Sequence, residues 1–257
     1  MNSSFAMAVG GIWAIMVIWL GMVIYSGILA VKAWRCAEGL LKRQMLYLWL
    51  GPVFVVAGDF IHSIAFTVAK YTGDQTGPIA VGGSVFEFRT FAMFVDGLAF
   101  ILYYGLWALF VVARYRGGVF SRLDRVLTGM AAAAAVLILP GAVPNALGIY
   151  SLEYDIAIWS PHMALFIVFG PVTVWQLMRL SQHAAAQATE SSVQAQERAL
   201  TRMCYFLFAS FAFFALTLSL IPFNVKFSMF MIPKTFAYMT AFYFLIKGFL
   251  APAVKNI

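Results

Sequence analysis

Six ionisable side chains stand inside long apolar stretches of this sequence: Asp59, His62, Arg89, Asp96, His162 and Lys234. Holding a charge at bilayer depth costs about 2.5–3.5 kcal/mol, so each such residue marks a functional site by default. Two acids, two cations and two imidazoles can close ion pairs, pass protons, or fix the polar end of a ligand. Their spacing organises them. Asp59, His62 and Ser63 are three and four residues apart and share one helix face. Arg89, Asp96 and Tyr103 recur every seven residues, and Lys234 and Tyr238 are four apart. If these faces look inward, Asp59 and Asp96 can pair with Arg89 and Lys234, with Glu87 at the mouth and Tyr103 and Tyr238 below. Each residue also has a plainer role open to it. Arg89 and Lys234 can snorkel to the interface, the acids can lock helix register, and the histidines can bond between helices. The sixth apolar run carries an aromatic wall (Tyr205, Phe206, Phe208, Phe211, Phe213 and Phe214) whose spacing fits ordinary packing.

The elements that position these groups follow from composition. The chain has 257 residues, 63% apolar and 11% charged, with a mean hydropathy of +0.88. A water-soluble domain carries roughly 45–50% apolar and about 25% charged residues, so that class is excluded. Two cysteines exclude a disulfide scaffold, and 25 Phe, 11 Tyr and 7 Trp exclude disorder. Crossing a bilayer takes about 20 apolar residues in a helix. Seven runs meet that length, at about 7–32, 45–70, 87–113, 126–150, 156–180, 202–223 and 227–250. Pro140, Pro144, Asn145 and Gly148 bend or fray the second half of the fourth. The expectation is an all-α polytopic integral membrane protein, a seven-transmembrane-helix bundle forming a single domain over 1–257.

Lys32, Arg35, Lys42, Arg43, Arg114, Arg116, Arg122, Arg125, Arg179, Arg198, Arg202, Lys247 and Lys255 fall on one side of that topology. Lys70, Arg89 and Lys226 fall on the other, beside Asp74, Glu87, Glu153 and Asp155. The basic side faces the cytoplasm, which places the N-terminus outside and the C-terminus inside. The net charge of +7 is then topological, and no nucleic-acid partner is expected. Met1-Asn2-Ser3-Ser4 lacks a basic leader region, so the first run is expected to remain as a span. Cys36 and Cys204 lie near the reducing face, and no disulfide is expected. The stretch from Ser181 to Ala199 has no apolar stripe and reads as polar helical extensions meeting at Ser191-Ser192. The second loop, from Thr72-Gly73-Asp74 through Gly82-Gly83-Ser84, is Gly-rich and turn-like. No segment outside the spans exceeds about twenty residues, so no soluble effector domain is expected.

At 1.5 Å per residue, all six ionisable groups fall in the outer half or the midplane of the bundle. That shared layer points first to a binding or sensing protein. Its polar pocket would lie between the second, third, fifth and seventh helices, lined by Asp59, His62, Arg89, Asp96, Tyr103, His162, Lys234 and Tyr238. A small amphipathic ligand suits such a pocket, and output would pass to a membrane or cytoplasmic partner protein. A proton-coupled transporter or channel would use Asp59, His62, Asp96 and His162 as a relay. A haem- or metal-binding membrane enzyme would use His62 and His162, with Asp59 as a third metal ligand. No G-x-S-x-G or H-x-x-x-H spacing is present, and below the relay only Tyr103, Tyr104, Tyr238, Thr240 and Tyr243 continue a path, which favours binding over conduction. Gly10, Gly11, Gly21 and Ala131 to Ala135 are small-residue stretches on which helices, or copies of the chain, could pack.

Seven helices, an outside N-terminus, an acid on the third helix and a lysine on the seventh also resemble the general plan of microbial rhodopsins. That resemblance implies retinal bound to Lys234 as a Schiff base, with Asp96 as its counter-ion. The chain departs from that family in having Phe230 one turn before the lysine and no sixth-helix proline until Pro222. It also departs in the seven-residue gap between Arg89 and Asp96.

Overall fold

The computed structural model describes residues 3–72, 78–81, 84–139, 161–220, 223 and 230–255, without the side chains of 3–10, 12, 65–66, 68–91, 93, 161 and 218. Its long elements are all helices: α1 (Ser3–Cys36), α2 (Gly39–Thr72), α3 (Phe88–Tyr115), α4 (Arg122–Leu137), α5 (Pro161–Gln187), α6 (Ser191–Leu220) and α7 (Met231–Leu245). A π-helical turn (Ile246–Leu250) and a short α8 (Ala251–Lys255) continue α7. Six helices carry a stretch long and apolar enough to cross a membrane: Trp13–Cys36, Gly39–Ile64, Phe94–Tyr115, His162–Gln187, Ser191–Thr217 and Met231–Lys255. These match six of the seven runs. The fourth run appears as α4, a helix of 16 residues; residues 140–150 of that run, including Pro140, Pro144, Asn145 and Gly148, lie outside the described residues.

The second loop departs from its turn-like expectation. Strands β1 (Pro78–Val81) and β2 (Ser84–Glu87) pair antiparallel, from Pro78 opposite Glu87 to Val81 opposite Ser84. The dipeptide between them in sequence is Gly82-Gly83, the composition that tight hairpins favour. This small hairpin leads directly into α3 and marks one end of the bundle.

Residue order in the helices explains the packing. Gly58 on α2 lies so close to α3 that an added Cβ would come within 2.7 Å of Ala99 Cβ and 3.1 Å of Asp96 Cα. Gly51, two turns earlier, leaves room for the Tyr103 ring, which would stand 2.9 Å from a Cβ there. Pro52 and Pro171 lie inside α2 and α5; each removes one helical hydrogen bond, a loss membrane helices tolerate where neighbours cover the gap. Deep in the bundle the core is aromatic, with Tyr104, Phe110, Phe169, Phe242 and Phe249 almost fully buried. The polar stretch from Ser181 to Ala199 folds as read, as the end of α5 and the start of α6. Cys36 is exposed and Cys204 buried.

At the end away from the hairpin, Gly117 and Gly118 take φ of +60° and +85°, which turns the chain from α3 to α4. Ser121 then caps α4: its hydroxyl accepts from the Asp124 N–H, and the Asp124 carboxylate accepts from the Ser121 N–H. Gln176 of α5 donates to the other Asp124 oxygen at 2.5 Å, and Arg116 stands 3.8 Å away. Burial pushes the Asp124 carboxyl up, but these hydrogen bonds and Arg116 outweigh it and hold its pKa below the usual 3.8. A depressed carboxyl adds stability in full above its unfolded value and loses it as pH falls through the folded one. We therefore expect Asp124→Asn to lower the melting temperature at neutral pH but to narrow its gap to the wild type below about pH 4. Thermal unfolding of the detergent-solubilised protein across pH 2.5–7 measures this; an undiminished gap at the acid end would contradict it.

Candidate functional site

Three of the ionisable side chains converge between α2, α3 and α7, and a fourth joins at their edge. Asp59 lies midway along α2 and accepts a 2.6 Å hydrogen bond from the indole N–H of Trp19 on α1. One turn further along α2, His62 Nδ1 stands 3.6 Å from Asp96 Oδ2 on α3. The other oxygen, Asp96 Oδ1, is buried and accepts no hydrogen bond among the described residues. Both aspartates are partly buried, and His62 is the more open to the surface.

Lys234 rises from the first turn of α7 into an aromatic cage. Its ammonium lies 5.1 Å from the Phe100 ring centroid, 4.9 Å from Phe214 and 5.8 Å from Tyr238. The side chain is buried at 9% exposure. Ring quadrupoles attract a cation at these distances, and more strongly once water is excluded. The ammonium and both carboxylates lie within electrostatic reach of one another. No oxygen of either aspartate comes within 4.0 Å of Lys234 Nζ, so this is a shared field rather than a contact ion pair among the described residues.

This arrangement changes the pairing drawn from sequence. Asp96 meets His62 directly, and Lys234 meets aromatic faces. The Ser63 hydroxyl is turned away to the Asp59 backbone carbonyl at 2.7 Å, a local helix bond that removes it from the polar layer. Tyr238 stacks into the cage and shares a 2.6 Å hydrogen bond with Tyr104. Tyr103 lies one turn below Phe100, its ring 6.1 Å from and nearly parallel to Phe242. His162 is buried in the first turn of α5, its ring 6.0 Å from Phe94, two residues before Asp96 on α3. Arg89 and Glu87 occupy the junction of hairpin and α3, and their side chains lie outside the described residues. Among the described residues no group of three His, Cys, Asp or Glu side chains is placed to hold a metal. Asp59, His62 and His162 therefore do not form the metal triad that their depth allowed.

The aromatic wall of α6 is where the sequence said too little. Phe214 from that wall completes the Lys234 cage, and Phe211 packs on Tyr104 at 4.9 Å. Trp19 and Phe100 were not singled out either. Phe100 follows Asp96 by four residues, a spacing that places it on the same face of α3 and could have flagged it. Below the layer, a cavity of about 10 Å³, enough for one water molecule, lies among Tyr47, Leu48, Pro52, Tyr103, Leu106, Trp107, Phe110, Phe242 and Leu245.

No family model, curated protein or solved structure matches the chain.

Proposed function

We propose that the chain is a multi-pass membrane protein of seven spans, with its N-terminus outside and its C-terminus in the cytoplasm. In this reading it is a single domain that binds and senses a small amphipathic ligand at the layer of Asp59, His62, Asp96 and Lys234. The six apolar helices support the membrane setting, and α4 begins the remaining span. The asymmetry of Lys and Arg along the sequence supports the orientation. One observation carries the functional part: a buried ammonium seated in an aromatic cage, within the field of two carboxylates supplied by different helices. Such groups are expensive in a membrane and are kept where they hold or respond to something. A ligand bearing a polar or cationic group competes with Lys234 for the rings, or with His62 for Asp96, and its apolar part lies along Phe94 and Phe100. Output passes to a partner protein in or beneath the membrane.

The test is a thermal-shift screen of small amphipathic amines, acids and alcohols against the protein in lipid nanodiscs. A ligand at a hundred times its Kd stabilises by about 2.7 kcal/mol, an effect easily read as a melting shift. We expect at least one class to shift the wild type and to lose that effect in Asp96→Asn. A broad screen in which nothing couples to unfolding would refute the reading.

The Lys234 cage also favours a second reading, in which the ligand is an apolar aldehyde of the retinal type. The Lys234 ammonium would pass a proton to Asp96 or Asp59, the freed amine would add to the carbonyl carbon and expel water, and return of that proton to nitrogen would leave a protonated imine with the carboxylate as counter-ion. Adding retinal to the purified protein would then produce a visible absorption band that is missing in Lys234→Ala. If no band forms in the wild type, this reading falls and the first is untouched.

A further inference from the structure

We infer that α7 acts as a rod linking the Lys234 cage to a buried ion-pair latch at the opposite end of the bundle, so that a disturbance at the cage releases the latch. The inference rests on the proposed ligand site for its purpose, though its geometry stands without it. Lys234, Tyr238, Phe242, Leu245 and Phe249 all face the interior, each at 9% exposure or less. They form one continuous seam, running about 22 Å at 1.5 Å per residue. Near the cage end, Tyr238 is bonded to Tyr104, and Phe242 receives the edge of Trp19 at 5.0 Å. Trp19 is the same side chain that donates to Asp59, so it touches both the polar layer and the seam.

At the other end of the seam lies the latch. Arg114 of α3 directs Nε and Nη2 onto Glu197 Oε1 of α6, at 2.9 and 2.5 Å. The second Glu197 oxygen accepts from the Tyr115 hydroxyl at 2.6 Å. Arg114 Nη1 reaches Gln44 of α2 at 3.1 Å, and Gln44 in turn donates to the Ala113 carbonyl. Phe249, at the foot of the seam, lies 4.8 Å from the Arg114 guanidinium and 6.0 Å from the Phe110 ring. Glu197 is only 3% exposed and Arg114 16%, so the carboxylate is shut from water while the guanidinium keeps a partial opening, with Phe249 across one face. A buried ion pair is a poor way to gain stability and is best attested as a register or switch device.

Phe249 sits in the π-helical turn Ile246–Leu250, the wide form that often marks functional sites. Tightening that turn to α-geometry would carry Phe249 around the axis by roughly one residue's rotation, about 100°. The guanidinium face would then open to water and the pair would weaken. Gly248 stands beside α6 so closely that a Cβ would overlap Ala199, which transmits any shift of the turn to the helix carrying Glu197. Both partners of the latch therefore respond to the same segment.

The experiment reads the separation of α2 and α6 with paired spin labels at Arg43→Cys and Arg198→Cys, both exposed positions. The background is Cys36→Ser, in nanodiscs without ligand. Glu197→Gln is expected to lengthen the mean distance by about 2 Å, the scale of helix shifts at switching interfaces. Lys234→Ala, at the other end of the rod, is expected to produce the same longer distance in part of the population. Phe236→Ala, on the outward face of α7, should leave the distribution as in the wild type. If Lys234→Ala does not assemble, Trp19→Phe probes the same end. An unchanged distance in Glu197→Gln would dispose of the latch. A shift there with none from Lys234→Ala or Trp19→Phe would dispose of the rod. Because no ligand is used, either failure is separate from failure of the ligand screen.

Discussion

Lys234→Ala is expected to cost about 3–5 kcal/mol of folding stability, the usual penalty for removing one member of a buried charge group. The loss has two sources. The rings of Phe100, Phe214 and Tyr238 give up a cation held at 4.9–5.8 Å, and Asp59 and Asp96 lose the positive charge that offsets their mutual repulsion. Asp96→Asn alone should also destabilise, because His62 then faces a neutral amide. The double variant should recover about 0.5–3 kcal/mol relative to the sum of the two, the coupling expected of groups that share a field. Titrated unfolding in mixed micelles measures all four corners of the cycle. Strictly additive losses would mean that the ammonium and the carboxylate do not sense each other.

Arg114→Ala should be comparably severe, at about 3–5 kcal/mol, since it leaves the Glu197 carboxylate buried with only the Tyr115 hydroxyl. Glu197→Gln should cost less, because the amide keeps the volume and can still accept one hydrogen bond from Arg114. The same micelle titration separates them. A loss below about 1 kcal/mol for Arg114→Ala would place the pair with solvent-screened surface bridges and remove its claim to hold the bundle end.

The six apolar helices were legible because their signal is crude and strong: runs of apolar residues of that length have no other stable home. Helix ends were less legible, since hydropathy marks where lipid stops and not where hydrogen bonding stops. Thus α2 begins at Gly39 and α6 at Ser191, well before the apolar runs at about 45 and 202. Asp59, His62, Asp96 and Lys234 were readable as a list of expensive residues. Their pairing was not, because helix rotation decides it. Asp96 could have met Lys234, Arg89 or His62 equally well on spacing alone. The cage was missed for a chemical reason, since Phe100 and Phe214 have the same spacing whether they surround a cation or another ring. Glu197 was missed because it lies in a stretch of Ala, Gln and Glu that reads as solvated. Only the fold shows that Arg114, 83 positions earlier, turns toward it. Nothing in local sequence announces a π-turn.

The contact between Gly248 and Ala199 has a consequence for sequences descended from a common ancestor with this one. With backbones this close, the two positions have room for about one methyl group between them, so their sizes must trade. Descendants that keep this crossing should pair glycine with alanine in either order, or carry glycine at both. A lineage bearing valine or larger at either position must have moved the two helices apart, and should have filled the resulting gap with bulkier neighbours.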